Sequence, residues 1–250
     1  MQSLKNLTVQ NHLLNFNLHH TNQLEVFKLY GIIIDASTST RISDCLKSHS
    51  TLKEFVLSYS VDTVDIEGAR KVFQALESQT QLQTLVIQIN NLSIDCSFSL
   101  SKTIDNNRQL HSLTIFGDNS NHFECLLKSL TSHLYIEILS LILDQVTASF
   151  LLFINQLVQQ NLSIRHLYIV AGNMSDRKIL SSIFESLGST QTIMNVELQS
   201  LDDEEEEQFQ NAIQEIKFDN PFVSINASNG SSQRLGQVKE SDIISQPLAF

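Results

Sequence analysis

The sequence predicts an α/β fold built by repetition, with a curved parallel β-sheet on the concave side and α-helices on the convex side. Three observations predict it. An L-x-x-L-x-L pattern, with Ile, Val or Phe allowed at the apolar places, recurs as Leu24-Phe27-Leu29, Leu52-Phe55-Leu57, Leu82-Leu85-Ile87, Leu110-Leu113-Ile115, Ile136-Leu139-Leu141, Ile164-Leu167-Ile169 and Ile193-Val196-Leu198. Successive starts lie 28, 30, 28, 26, 28 and 29 residues apart, and a steady period in this range is the mark of stacked units. A large apolar residue also stands six positions before most starts: Leu46, Leu76, Ile104, Leu130 and Leu187, with Leu157 seven before Ile164. Between starts the apolar spacing switches from two to the helical three-and-four.

The elements follow in order. Leu4-Leu7-Val9 opens a shortened first unit, and Leu18 stands six before Leu24. Each later start predicts a strand. Ile66, Ala69, Phe73 and Leu76 mark one intervening helix; Phe123, Leu126 or Leu127, and Leu130 mark another; Leu180, Ile183 or Phe184, and Leu187 a third. Ile216 precedes Phe222-Ile225-Ala227, a degenerate last strand 29 residues after the previous start. One strand and one helix cannot bury an apolar stripe alone, so neighbours stack and their strands line up in parallel. The repeats therefore occupy residues 1–227, about seven full units plus degenerate ends. Residues 228–250 open with Ser228-Asn229-Gly230-Ser231-Ser232-Gln233 and lose the period, which predicts a flexible C-terminal tail. Its closing Ile243-Ile244 and Leu248-Ala249-Phe250 read as a docking peptide or as a cover for the last unit.

In period and pattern the chain resembles leucine-rich-repeat proteins of the ribonuclease-inhibitor-like class, whose units carry a full helix each. The resemblance covers residues 4–227 and implies a leucine-rich-repeat solenoid. It implies no single activity, because that class holds inhibitors, GTPase regulators, immune sensors and adaptors. The class places Asn or Cys three residues after the last strand leucine; here the place is held by Ile32, Ser60, Asn90, Asp118, Asp144, Gly172 and Leu201. Only Asn90, Asp118 and Asp144 keep that chemistry, so the central units are expected to be the most regular. Ran GTPase-activating proteins also join such repeats to concentrated acid, but there the acid follows the repeats, and no arginine here matches their catalytic one.

Composition limits the partner. Of 250 residues, 42% are hydrophobic and the net charge is −11, an acidic surface that repels phosphate backbones and anionic lipid. Residues 1–200 carry 13 basic against 17 acidic residues, and residues 201–250 carry 3 against 10. The run Asp202-Asp203-Glu204-Glu205-Glu206-Glu207 dominates that excess. Ahead of Phe209, Ile213 and Ile216 it reads as the first turn of a helix, favoured by the macrodipole, or as a contact for a basic partner.

No chemistry stands out. Cys45, Cys96 and Cys125 share no metal spacing and fall in helical stretches, where a thiol packs as a small apolar group. The His19-His20 pair lacks a carboxylate third ligand at zincin spacing, no cysteine is expected to have a histidine near it in sequence, and no glycine loop suits a nucleotide. No cofactor, metal or small-molecule substrate is expected, and no enzyme. The N-terminus lacks the layout of a secretory leader, no apolar run reaches bilayer length, and Asn-x-Ser/Thr triplets at Asn91 and Asn161 read as products of composition. A reducing, cytoplasmic setting is expected.

What remains is recognition. Strand side chains alternate, so residues between and beside the motif leucines line the concave face. Nine of these 21 positions carry Val, Ile, Phe or Tyr, and only Lys28, Glu54 and Glu197 are charged. Val56, Val86, Phe116, Ile138, Ile142, Tyr168 and Val170 are the candidate anchors for a protein partner. The expected function is a non-catalytic recognition module or scaffold. The alternatives are a regulator of an enzyme such as a small GTPase, or a fragment of a larger repeat-containing sensor.

Overall fold

The computed structural model describes residues 4–10, 24–59, 65–88, 93–117, 124–143, 148–171, 177–188, 190, 192–200, 211 and 224–229. Among these residues nine strands run β1 Asn6–Gln10, β2 Val26–Ile32, β3 Glu54–Tyr59, β4 Thr84–Gln88, β5 Ser112–Gly117, β6 Ile138–Leu143, β7 His166–Ala171, β8 Asn195–Ser200 and β9 Ser224–Asn229. Six helices among the described residues fall between β2 and β8: α1 Ala36–Ser48, α2 Ile66–Leu76, α3 Ile94–Asn106, α4 Glu124–Ser132, α5 Ala148–Gln160 and α6 Arg177–Gly188. The strands form one sheet whose spatial order is the sequence order, and all eight pairings are parallel. Substantial contacts join consecutive strands or consecutive helices. The architecture is a repeat-like α/β stack, in which each strand-and-helix unit leans on its neighbours.

The motif spacing sets the register. Leu29, Leu57, Ile87, Ile115, Leu141 and Ile169 stand side by side on adjacent strands, and all are fully buried. Phe27, Phe55, Leu85, Leu113, Leu139 and Leu167 form the parallel row two residues earlier, with the Phe27 and Phe55 rings 5.7 Å apart. Leu46, Leu76, Ile104, Leu130, Leu157 and Leu187 close over these rows from the helices in one continuous core. Because this core takes motif residues from β1 to β8 together with residues of every one of these helices, all six helices cover the same face of the sheet. β2 holds one extra residue: the register slips between Leu29 and Ile32, where Gly31 has φ 59°, a left-handed conformation that suits glycine.

Helix starts repeat with the same period. Asp35, Asp65 and Ser93 sit at the N-caps of α1, α2 and α3 and accept from the backbone N–H of Thr38, Glu67 and Cys96. The Thr38 N–H, at 2.7 Å, holds the Asp35 carboxyl below its ordinary pKa. Helices also approach closely. A Cβ on Gly68 would meet Ser39 Oγ at 3.0 Å, and Ser101 Oγ lies 2.6 Å from Ser129 Oγ between α3 and α4.

Two expectations need correcting. Ile66 opens α2 but is 53% exposed, and the buried stripe is Ala69, Val72, Phe73, Ala75 and Leu76. The last strand pairs Ile225 with Val196 and Ala227 with Leu198, as the spacing predicts, but it runs to Asn229, past the boundary at 227. Phe222, Phe123 and nearly all of the tail lie outside the described residues. So do six of the seven expected turn positions; the seventh, Ile32, is buried in β2.

The polar row that does join the units stands elsewhere, three residues before each motif start. His49, Gln79, Asn107, His133, Asn161 and Thr190 are all buried. Gln79 Nε2 donates to Leu46 O at 2.6 Å, Asn107 Nδ2 to Gln79 O at 3.1 Å, His133 Nε2 to Asn107 O at 3.0 Å, and Asn161 Nδ2 to His133 O at 2.9 Å. From Asn107 onward the other polar atom accepts from the backbone ahead of the next strand: Gln109 N reaches Asn107 Oδ1, and Ile136 N, Ile164 N and Ile193 N reach His133 Nδ1, Asn161 Oδ1 and Thr190 Oγ1. Gln79, Asn107, His133 and Asn161 thus pair carbonyls at or just past the preceding helix end and tie their units to the one before.

His133 makes this row sensitive to pH. With Nε2 donating and Nδ1 accepting from Tyr135 N and Ile136 N, the ring is held neutral. Burial pushes its pKa below the usual 6.5, with the Asn107 carbonyl opposing. A base with a depressed folded-state pKa stabilises the fold fully above about pH 6.5 and loses that stabilisation as pH falls toward and through the folded value. His133→Asn keeps the geometry that Asn107 and Asn161 use and removes the titration. Thermal unfolding of the two proteins from pH 7.5 to 5 should show the native protein losing more melting temperature on acidification than the variant. Parallel curves would contradict the role assigned to this imidazole.

Candidate functional site: the open face of the sheet

The face turned away from the helices carries three columns of side chains. The first, at the strand starts, runs Val26, Glu54, Thr84, Ser112, Ile138, His166 and Asn195. The second runs Lys28, Val56, Val86, Thr114, Ser140, Tyr168 and Glu197. The third includes Gln88, Phe116, Ile142 and Val170 on successive strands.

All seven anchors expected from the sequence lie on this face, but burial divides them. Val56, Val86, Phe116 and Val170 are only 1%, 7%, 5% and 4% exposed. Neighbouring strands stand about 4.8 Å apart, so bulky side chains in adjacent columns cover one another. Tyr30, Val56, Val86 and Phe116 close into a second apolar cluster, with Ile142 packed against it. Gln88 and Ser140 are buried beside them, and Ser58 Oγ donates to Gln88 Oε1 at 2.9 Å. The centre of the face is therefore a small closed core. Val56, Val86, Phe116 and Val170 stabilise the sheet and are not available as first contacts.

Three anchors stay accessible. Ile138, Ile142 and Tyr168 are half-buried on adjacent strands β6 and β7, and His166 and Asn195 beyond them are exposed. Asn195 Nδ2 and His166 Nδ1 lie 3.0 Å apart across β7 and β8. The accessible part of the face is thus the strand-start column together with the β6–β8 end.

Charges on and beside the sheet mostly pair. Lys28 and Glu54 meet at 2.7 Å across β2 and β3. Glu25, just ahead of β2, bridges Lys5 at 2.7 Å and Lys53 at 2.8 Å, and their ammonium groups lower its carboxyl to about 2. Glu197 is different. It is half-buried next to Tyr168, and burial raises its pKa, with no cation or hydrogen-bond donor opposing among the described residues. Burial, and then Glu197, push the Tyr168 phenol up to about 12, so it stays neutral.

The structure brings together one pair that sequence reading passed over. His49 follows Cys45 by one helical turn, and its Nδ1 lies 3.7 Å from the Cys45 thiol. The same Nδ1 lies 2.7 Å from Cys45 O and is engaged as a donor to that carbonyl, so it has no lone pair for the thiol proton. Burial pushes the thiol up to about 12, the reverse of what a nucleophile needs. Cys96 is also buried, and Cys125 is half-buried. Asn161, in one Asn-x-Ser triplet, is buried with its amide fully engaged.

Among the described residues no group of three or more His, Cys, Asp or Glu is placed to hold a metal, and no helix is long and apolar enough to cross a membrane. His19 and His20 lie outside the described residues, as do Asp202, Asp203, Glu204, Glu205, Glu206 and Glu207. Comparison of the sequence with models of known families and with curated proteins finds no match.

Proposed function

We propose that this chain is a leucine-rich-repeat-type recognition module, non-catalytic, that holds a protein partner against the face of the sheet opposite its helices. The observation that carries the reading is the pairing of two unlike regions on that face. A closed apolar cluster around Val56, Val86 and Phe116 stiffens the platform. Beside it Ile138, Ile142 and Tyr168 stay half-exposed on neighbouring strands with polar His166 and Asn195 around them, and such apolar residues within a polar rim suit an interface. The side chains stand on strands of a sheet, so the surface is rigid and little ordering cost opposes binding. The repeat resemblance supports the reading independently, since stacked units generate extended binding surfaces.

The test is affinity capture from the native cell extract with the native protein and with an Ile138→Lys/Ile142→Lys double variant. Both isoleucines are partly exposed, so the variant should melt within a few degrees of the native protein. The reading expects a protein captured by the native chain to be lost from the variant. A partner retained by a folded variant would move the binding surface elsewhere.

A further inference from the structure

We infer that the β7–β8 end of the open face receives a basic side chain, a lysine or arginine, presented by the protein partner and paired with Glu197. This deepens the reading above and rests on it. The open face carries three charged residues among those described. Two of them, Lys28 and Glu54, neutralise each other at 2.7 Å. The third has no such arrangement: no hydrogen bond or ion pair reaches Glu197 among the described residues, although the strands on either side leave it only half in water. A carboxylate that loses hydration without gaining a partner costs stability, and that cost is recovered when a cation arrives.

The surroundings select the kind of cation. Glu197 stands directly beside Tyr168 in the strand register, and Ile142 and Val170 adjoin across β6 and β7. Tyr168 and Ile142 are half-exposed. An aromatic face next to a carboxylate, with half-exposed Ile142 two strands away, suits a long stem ending in a positive head: the methylenes pack along Tyr168 while the head pairs. A lone carboxylate with apolar flanks offers a metal ion too few oxygens. The net charge of −11 draws a basic segment toward the protein and repels an acidic one.

The experiment selects random twelve-residue peptides displayed on phage against the native protein, then measures the synthesised winners on three proteins: native, Glu197→Gln, and Ile138→Lys/Ile142→Lys. The inference expects winners to share a lysine or arginine beside apolar residues and to bind Glu197→Gln at least tenfold more weakly, with affinity falling as salt rises. Replacing that basic residue with norleucine should cause a similar loss on the native protein and little further loss on Glu197→Gln. A melting curve separates this role from a structural one: Glu197→Gln should melt at the same temperature as the native protein or above it, because an uncompensated charge is removed. A drop in melting temperature would overturn the inference. Winners that need Ile138 and Ile142 but ignore Glu197 would overturn it and leave the docking face standing. Winners indifferent to all three positions, or no enrichment at all, would overturn both.

Discussion

Replacing Ile115 with alanine should cost about 2–5 kcal/mol, read as a lower urea midpoint with an unchanged slope. Ile115 is fully buried in β5, between Ile87 on β4 and Leu141 on β6. Removing its outer carbons takes away their transfer free energy and leaves a cavity. The walls of that cavity cannot move in, because the flanking rows are held by their own units on both sides. Val9 provides the contrast. It stands in the same row but on β1, at the sheet's end, paired with Leu29 alone and 7% exposed. Val9→Ala should cost clearly less, since a smaller side chain is trimmed and one wall is free to relax. Equal costs at the two positions, or a loss under about 1 kcal/mol at Ile115, would contradict the stacking register.

That register was legible because it is written in one kind of residue. At Leu57, Ile87, Ile115, Leu141 and Ile169 the side chain must be large and apolar, and the spacing between such residues survives any exchange of Leu for Ile. The strand directions, the common helical face and the weak first and last strands all follow from it. The buried polar row was not legible for the opposite reason. His49, Gln79, Asn107, His133, Asn161 and Thr190 are chemically unlike, and what they share is a buried place between a helix end and the next strand. A search by residue type misses them; an alignment of units on the motif starts would place all six in one polar column between apolar ones.

The site was legible by side and not by depth. Alternation along each strand assigned Val56, Phe116, Ile142 and Tyr168 to the open face, where they stand. It could not say that Val56 and Phe116 would vanish beneath Tyr30, Val86 and one another, since that depends on which bulky residues meet across strands. The same limit hid Glu197, which resembles any other exposed strand position until its lack of a counter-ion among the described residues is seen. Cys45 and His49 match no metal spacing, and only one turn of helix brings their side chains together.

The largest loss from a single polar residue is expected at Asn161. Its amide Nδ2 donates to Leu130 O at 2.7 Å and His133 O at 2.9 Å, and its Oδ1 accepts from Ser163 N at 2.8 Å and Ile164 N at 2.9 Å. Asn161→Leu has similar bulk and none of these bonds. Ser163 Oγ still reaches His133 O at 3.0 Å, but Leu130 O and the buried Ile164 N lose their partners. Each buried group left unsatisfied costs about 1–3 kcal/mol, so a total of roughly 2–6 kcal/mol is expected for the two. Asn161→Asp keeps the acceptor, turns a carboxylate toward two carbonyl oxygens, and should be at least as harmful near neutral pH. Asn161→His should be the mildest of the three, because His133 already serves the equivalent position one unit earlier, donating from Nε2 to Asn107 O and accepting at Nδ1 from Ile136 N. Urea unfolding of the three variants should therefore rank His above Leu and Leu at or above Asp. If leucine proves as stable as histidine, the row contributes packing alone, and the hydrogen bonds between units do not hold the stack together.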